Sequence, residues 1–302
     1  MTISLFSGQG SQEPGMGKDI LEAFGSLGFI FDTGSEILGK DLRKICFDTP
    51  IEELSLTINA QPAIMAMSIL CHEASLLKGY SFDGVAGHSL GEYAGLYASG
   101  MVSLEDAFRL IKARAEAMHT ATTQTKGAMV AVMKLESEKI AQVCDEAKEY
   151  ASAVNYNSPQ QTVVAGTPEG IAEVSAVFAE MGARVIPLNV AGAFHSKLMK
   201  PASDIFLETA KTIQFNAPKV KYYSNVTGAE LTDFSDMPAL LAKHIVSPVK
   251  FTSELSAMSE AGADTFFEFG PGKTLTGLVK KTLKGVKTVN ISSVSALEEA
   301  FA

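Results

Sequence analysis

A serine flanked by glycines two places to either side, Gly87-His88-Ser89-Leu90-Gly91, joins a short apolar segment, Val85-Ala86, to a helix-compatible one, Glu92–Ala98. A chain that passes from strand to helix through so few residues has to turn sharply. Glycine at both ends removes the Cβ atoms that would crowd such a corner. The serine hydroxyl is then exposed on the corner, and the next backbone N–H can face a developing oxyanion. An ordinary Gly/Ser turn before a helix has the same five letters. The strand-to-helix context is what points to a nucleophile.

The rest of the chain supplies a frame for that turn. Residues 2–6 read as a buried strand, and Ser7–Gln12 as a loop crossing its end. Helical patterns follow to about residue 78, with interruptions expected near Pro50 and Pro62. Beyond the serine turn a helix closes at Gly100, and Ser103 with Asp106 caps the next, which runs through Arg114 to about His119. Residues 126–192 change rhythm. Strands at 128–133, 153–156, 162–165 and 184–190 alternate with helices at 136–148 and 168–181, and Pro168 stands at a tolerated first-turn position. The order βαββαβ predicts a small ferredoxin-like domain inserted into a larger one, residues 1–125 and 193–302. Strands near 220–224, 265–269 and 286–291, with helices near 201–211, 236–245, 251–261 and 274–284, complete the larger one. Such alternation predicts an α/β fold with a mainly parallel sheet covered on both faces.

Composition narrows the function classes. At 302 residues, 46% hydrophobic and 20% charged, the chain reads as a soluble globular protein. No basic segment precedes the apolar Ile3–Phe6, and no apolar run is long enough for a membrane span, so a cytoplasmic location is expected. Cys46, Cys71 and Cys144 are scattered, with no metal or redox spacing, and are expected to be reduced and buried. The Asn225 and Asn290 glycosylation-like triplets are read as accidental. A net charge of −9 argues against nonspecific nucleic-acid binding. Lys273, Lys280, Lys281, Lys284 and Lys287 are a local exception, read as a solvated helix face or as a landing site for a phosphate-bearing partner.

A serine hydroxyl needs a base within hydrogen-bond reach. His88 is next to Ser89, but neighbours at a strand-end turn point different ways, so it is read as turn-stabilising. His72 and His119 fall in helical patterns, and His244 in the stretch Lys243–Pro248. His195 differs, because it follows the last strand of the small domain where the chain re-enters the large one, and domain junctions form clefts.

These residues belong to a longer ordered set. Gly8–Gln12, Gln61-Pro62-Ala63, Gly87–Tyr93, Arg114, Gly127-Ala128-Met129, Asn155 with Asn157-Ser158-Pro159, Ala193-Phe194-His195, Ser224–Gly228 and Gly270–Lys273 occur in sequence. Together the chain resembles the malonyl-CoA:acyl carrier protein transacylases and the related acyltransferase components of polyketide synthases, from Phe6 to Gly277. The resemblance implies an α/β-hydrolase-like large domain carrying Ser89 as nucleophile and His195 as general base. It implies an oxyanion hole from the N–H groups of Gln9 and Leu90. Arg114 would bind the free malonyl carboxylate; on the residues alone it reads as one more exposed helix arginine. A guanidinium suits the role, since its planar fork meets a carboxylate bidentately and keeps its charge. Gln61, Asn157 and Phe194 would line the pocket. The implied reaction transfers malonyl from malonyl-CoA to the phosphopantetheine thiol of an acyl carrier protein, by a monomer needing no metal or redox cofactor, in fatty-acid or polyketide synthesis.

Two departures stand out. Ser7 replaces the proline usual before Gly8, and His244 stands where the family usually has glutamine or asparagine, whose backbone carbonyl orients the catalytic histidine. Gly270–Thr274 ends like a phosphate-binding loop, but Phe267 occupies the position that needs its first glycine, so a helix-starting turn is expected. The alternative reading is a serine esterase or thioesterase, which would place an Asp or Glu between the serine and the histidine. A nonenzymatic carrier-docking module is a third, opposed by Ser89, His195 and Arg114 occurring together.

Overall fold

The computed structural model describes residues 1–190 and 192–302; Ala191 lies outside the described residues. Its strands in chain order are β1 (Thr2–Phe6), β2 (Gly84–Gly87), β3 (Ala128–Met133), β4 (Ala151–Ser158), β5 (Gln161–Gly166), β6 (Arg184–Pro187), β7 (Lys221–Ser224), β8 (Ala229–Glu230), β9 (Thr265–Phe269) and β10 (Lys287–Ile291). Six of them form one sheet in the order β10-β9-β1-β2-β7-β8, parallel except for the β7–β8 hairpin at one edge. The strand pattern thus gives the parallel α/β sheet that the sequence predicts. The two-residue β8 was not anticipated.

β1 sits in the middle of this sheet with Ile3 to Phe6 all buried, as a strand covered on both faces must be. Successive side chains point to opposite faces. Phe6, Val85, Tyr222 and Phe269 enter one core, while Ile3, Leu5, Ala86, Tyr223 and Phe266 enter the other. Phe6 of β1 pairs with Gly87 of β2, so the loop after β1 and the serine turn after β2 emerge side by side. This register decides where the site lies.

The remaining four strands form an antiparallel sheet, order β4-β5-β3-β6, with the helices Ser137–Glu146 and Pro168–Glu180 packed on one face. That is the ferredoxin-like strand order. Its other face, including Met129, Ala131, Val154 and Val163, joins the large core. Backbone bonds from Tyr156 N to Val249 O (2.9 Å) and from Val249 N to Val154 O (2.8 Å) stitch the two parts together.

Four expectations are corrected. Pro62 lies inside one continuous helix, Thr57–Leu77, and does not interrupt it. That helix is buried almost all round, so packing offsets the one backbone bond a proline removes. The capped helix from Ser103 extends to Gln124, past His119, while β6 stops at Pro187 rather than Val190. The five C-terminal lysines are all exposed but do not share a helix face, because only Lys280 and Lys281 lie in the helix Thr274–Thr282. No helix among the described residues is long and apolar enough to cross a membrane.

Candidate active site

The serine turn is as tight as its glycines imply. A Cβ on Gly87 would lie 2.0 Å from the Gly91 carbonyl carbon, and one on Gly91 would lie 2.1 Å from the Phe6 oxygen. Ser89 itself has φ 54°, a left-handed conformation that costs a non-glycine residue about 1–3 kcal/mol and persists only where its surroundings enforce it. The enforcing residue is Asn225, just after β7. Its Oδ1 accepts the Ser89 N–H at 2.8 Å, and its Nδ2 donates to the Gly87 carbonyl at 2.7 Å, one bond on each side of the corner.

His195 reaches the nucleophile from the far side of the sequence. Its Nε2 lies 2.7 Å from Ser89 Oγ, while Nδ1 faces the backbone carbonyls of His244 at 3.0 Å and Ser247 at 3.2 Å. A carbonyl only accepts, so the proton sits on Nδ1 and Nε2 keeps the lone pair that can take the serine proton. His195 also has a left-handed backbone, φ 60°. Burial, and then the nearby Arg114 guanidinium, hold its pKa down to about 3, so the imidazole is neutral at rest.

Arg114 completes the group. Its Nη2 donates to Ser89 Oγ at 2.9 Å, and its guanidinium carbon lies 5.5 Å from the centre of the Tyr93 ring. The arginine is buried, against the exposed position that the residues alone suggest. The reason is its register: Ala107, Ile111, Arg114, Met118 and Ala121 form one buried stripe at helical spacing. Among the described residues it makes no carboxylate ion pair, and its Nε has no hydrogen-bond partner. A buried charge of this kind is costly unless an anion completes it.

Ser89, His195 and Arg114 are thus in direct contact. Leu90 follows Ser89, and Gln9 stands in the adjacent loop after β1; neither backbone N–H is used in a hydrogen bond among the described residues. Asn157 reaches the site only through His88, whose Nε2 it meets at 2.8 Å, while the His88 ring packs edge-on against Phe251. His88 therefore ties the turn to β4. Gln61 faces Met118, one turn from Arg114, and keeps a buried, unpartnered Oε1. Phe194 is buried beside His195. Among the described residues neither side chain is hydrogen-bonded to the three central ones. Ser7 ties the β1 loop to the turn after β9, its Oγ 3.3 Å from the carbonyls of Phe269 and Pro271.

Four functional-looking groups were not singled out by sequence reasoning in this role. Asn225 is fully buried and is bonded also to Glu254 (2.7 Å), to Glu92 through its own N–H, and to His244 Nε2 (3.2 Å). Glu92, two helical positions past the turn, carried the only local signal.

The family model of the acyl transferase domain matches residues 4–297, and the chain belongs to that family. It is 39% identical over 301 residues to the malonyl CoA-acyl carrier protein transacylase of Bacillus subtilis, covering 98% of this chain and 95% of that protein. The crystal structure of the Streptococcus pneumoniae enzyme of the same type superposes with a TM-score of 0.95 at 36% identity, over 100% of this chain and 99% of that one. A malonyl-transacylase solved with a type II polyketide acyl-carrier protein superposes equally well, TM-score 0.95 at 32% identity, over 99% and 98% of the two chains.

Proposed function

We propose that this chain transfers malonyl from malonyl-CoA to the phosphopantetheine thiol of an acyl carrier protein, by way of a malonyl ester on Ser89. The observation that carries the reading is the contact of a buried, unpaired guanidinium with a base-linked serine: Arg114 Nη2 and His195 Nε2 both meet Ser89 Oγ, at 2.9 and 2.7 Å.

In the first half-reaction Ser89 Oγ attacks the thioester carbonyl as His195 Nε2 takes its proton. The oxyanion faces the free N–H groups of Gln9 and Leu90. The C–S bond then breaks, and the imidazolium returns its proton to the departing coenzyme A sulfur. In the second half the carrier thiol gives its proton to His195 and attacks the ester, and Ser89 recovers the proton as it leaves. Arg114 holds the malonyl carboxylate throughout. Binding that carboxylate offsets the guanidinium field, the second cause of the low His195 basicity, so the base strengthens when the correct acyl group is present.

An esterase of the hydrolase type would orient its histidine with a carboxylate. Here backbone carbonyls accept the hydrogen bond from His195 Nδ1–H instead, which favours the transferase. One chain supplies every group of the cycle, which supports a monomer, and three free buried cysteines fit a reducing cytoplasm. The cycle as written needs no metal or redox cofactor.

Intact-mass measurement after exposure to malonyl-CoA tests the reading. The protein should gain one malonyl group and lose it to a holo carrier protein, and Ser89→Ala should gain none. A malonyl adduct that persists in Ser89→Ala, or that water removes as fast as the carrier does, would overturn it.

A further inference from the structure

Asn225 begins the triplet Asn225-Val226-Thr227, which has the spacing of a glycosylation acceptor, yet the residue is wholly buried and each of its polar groups is engaged inside the protein. Its backbone N–H donates to Glu92 Oε1 at 2.5 Å, and its carbonyl accepts from Lys250 N at 3.1 Å. Its Nδ2 donates to the Gly87 carbonyl and to Glu254 Oε1, both at 2.7 Å. Its Oδ1 accepts the Ser89 N–H at 2.8 Å and meets His244 Nε2 at 3.2 Å. The amide cannot be turned over, because a backbone N–H only donates and a backbone carbonyl only accepts. An amide oxygen also only accepts, so the bond to His244 needs a hydrogen on Nε2.

We propose that Asn225 is a positioning residue that joins the nucleophile to its base: one oxygen holds the Ser89 corner on one side and, through the His244 ring, the carbonyl that receives the His195 Nδ1–H on the other. The proposal rests on the reading of Ser89 as nucleophile and His195 as base. Those two residues lie 106 positions apart in sequence and meet across 2.7 Å, so their spacing has to be imposed by groups around them. His244 is fully buried at the end of the helix Met237–Ile245, and it reaches the site twice. Its ring is bonded to Asn225 Oδ1, and its own carbonyl lies 3.0 Å from His195 Nδ1. A ring that lost its bond would carry this carbonyl with it, and the imidazole of His195 would lose its register on Ser89. Because Asn225 occupies the Ser89 N–H, the Leu90 N–H is left as the free donor of the corner among the described residues. Neither the Asn225 amide nor the His244 ring touches the reacting atoms.

Resting spectra and turnover test this separately. Imidazole 1H–15N spectra of the full-length protein should show His244 with its hydrogen on Nε2, and a hydrogen on Nδ1 alone overturns the proposal. In turnover, His244→Leu keeps the backbone carbonyl but offers Asn225 Oδ1 no donor, and it should lose about tenfold or more in kcat with KM for malonyl-CoA unchanged. His244→Gln restores a side-chain N–H and should stay within about threefold of the parent. Asn225→Asp keeps the shape but has no donor for the Gly87 carbonyl, and should likewise lose about tenfold or more in kcat and not in KM. Equal losses in the two His244 variants, or losses confined to KM, overturn the proposal. Should His244→Leu fail to fold, the spectra and Asn225→Asp still decide. A parent protein that forms no acyl-serine would instead refute the reading of Ser89, while the spectra still test the bond between Asn225 and His244.

Discussion

Arg114 Nη2 donates to Ser89 Oγ at 2.9 Å, so the fixed cation and the nucleophile touch before any acyl group arrives. The same hydroxyl is 2.7 Å from His195 Nε2, and it can satisfy both by accepting from the arginine and donating to the histidine. The arginine thereby orients the serine proton toward its base, and among the described residues it makes no ion pair with a carboxylate, so its charge is left for the carboxylate of the acyl group. Selectivity and activation meet at one oxygen.

Replacing Arg114 should therefore separate substrates. Charge-assisted bonds contribute about 1.5–3 kcal/mol, so Arg114→Ala should slow acylation by malonyl-CoA about tenfold to a hundredfold more than acylation by acetyl-CoA. Initial rates of acyl-enzyme formation with the two thioesters, followed by intact mass, provide the ratio. An equal loss with both would make the arginine structural. Arg114→Lys should recover only part of the preference, because an ammonium lacks the planar fork.

The depressed basicity of His195 sets the acid limb of the pH profile. With its pKa near 3 the imidazole stays unprotonated as pH falls through 6.5, so kcat/KM for malonyl-CoA should hold between pH 7 and 5 and fail only below. Bound malonyl neutralises Arg114, so the limb in kcat should sit at higher pH than the limb in kcat/KM. A kcat/KM limb centred at 6.5 would contradict the burial that the structure gives this ring.

Much of the site was legible before any coordinates, for identifiable reasons. The corner at Ser89 is local, since its glycines, its strand and its helix adjoin in sequence. The loop bearing Gln9 follows from a parallel pairing of neighbouring strands. Arg114 was legible only through the family resemblance; the residues alone read it as exposed, and the structure puts it on the buried stripe Ala107-Ile111-Arg114-Met118-Ala121. The backbone carbonyl of His244 was legible through the family resemblance, but the contacts of Asn225, Glu92, Glu254 and the His244 ring were not. These residues come from separate segments that meet only when β7 pairs with β2 and the helices Met237–Ile245 and Phe251–Glu260 fold over the strand ends. Pro62 misled for the converse reason, as local propensity gave way to packing around its helix.

His72 should make the fold acid-sensitive. It is buried against Phe6, Tyr80, Phe82 and Phe269, and neither ring nitrogen has a hydrogen-bond partner among the described residues. Burial lowers its pKa to about 3 in the folded chain, against 6.5 for an ordinary histidine. The unfolded chain thus binds the proton first, and the contribution of this ring is full above pH 6.5 and lost progressively from there toward pH 3. The raised pKa values of Glu92 and Glu254 act in the opposite direction, so the check is a difference between two proteins. His72→Phe should lose less Tm than the parent between pH 7 and 4.5; parallel curves would mean the ring is hydrated or protonated in the fold.

Glycine marks necessity at some positions and not at others, and paired substitutions expose the difference. At Gly91 a Cβ would lie 2.1 Å from the Phe6 oxygen, which is backbone and cannot swing away, so Gly91→Ala should force β1 from the serine turn. Loss of acylation should accompany a fall of several degrees in Tm. Gly277 lies inside the helix Thr274–Thr282 with nothing within 4 Å of an added Cβ. There alanine removes backbone freedom from the unfolded chain at no steric cost, so Gly277→Ala should stabilise by about 0.5–1 kcal/mol and raise Tm by about 1–4 °C, with acylation unchanged. Thermal unfolding of both variants beside the parent measures the contrast, and a tolerated Gly91→Ala would break the link drawn here between the tightness of the turn and the reactivity of Ser89.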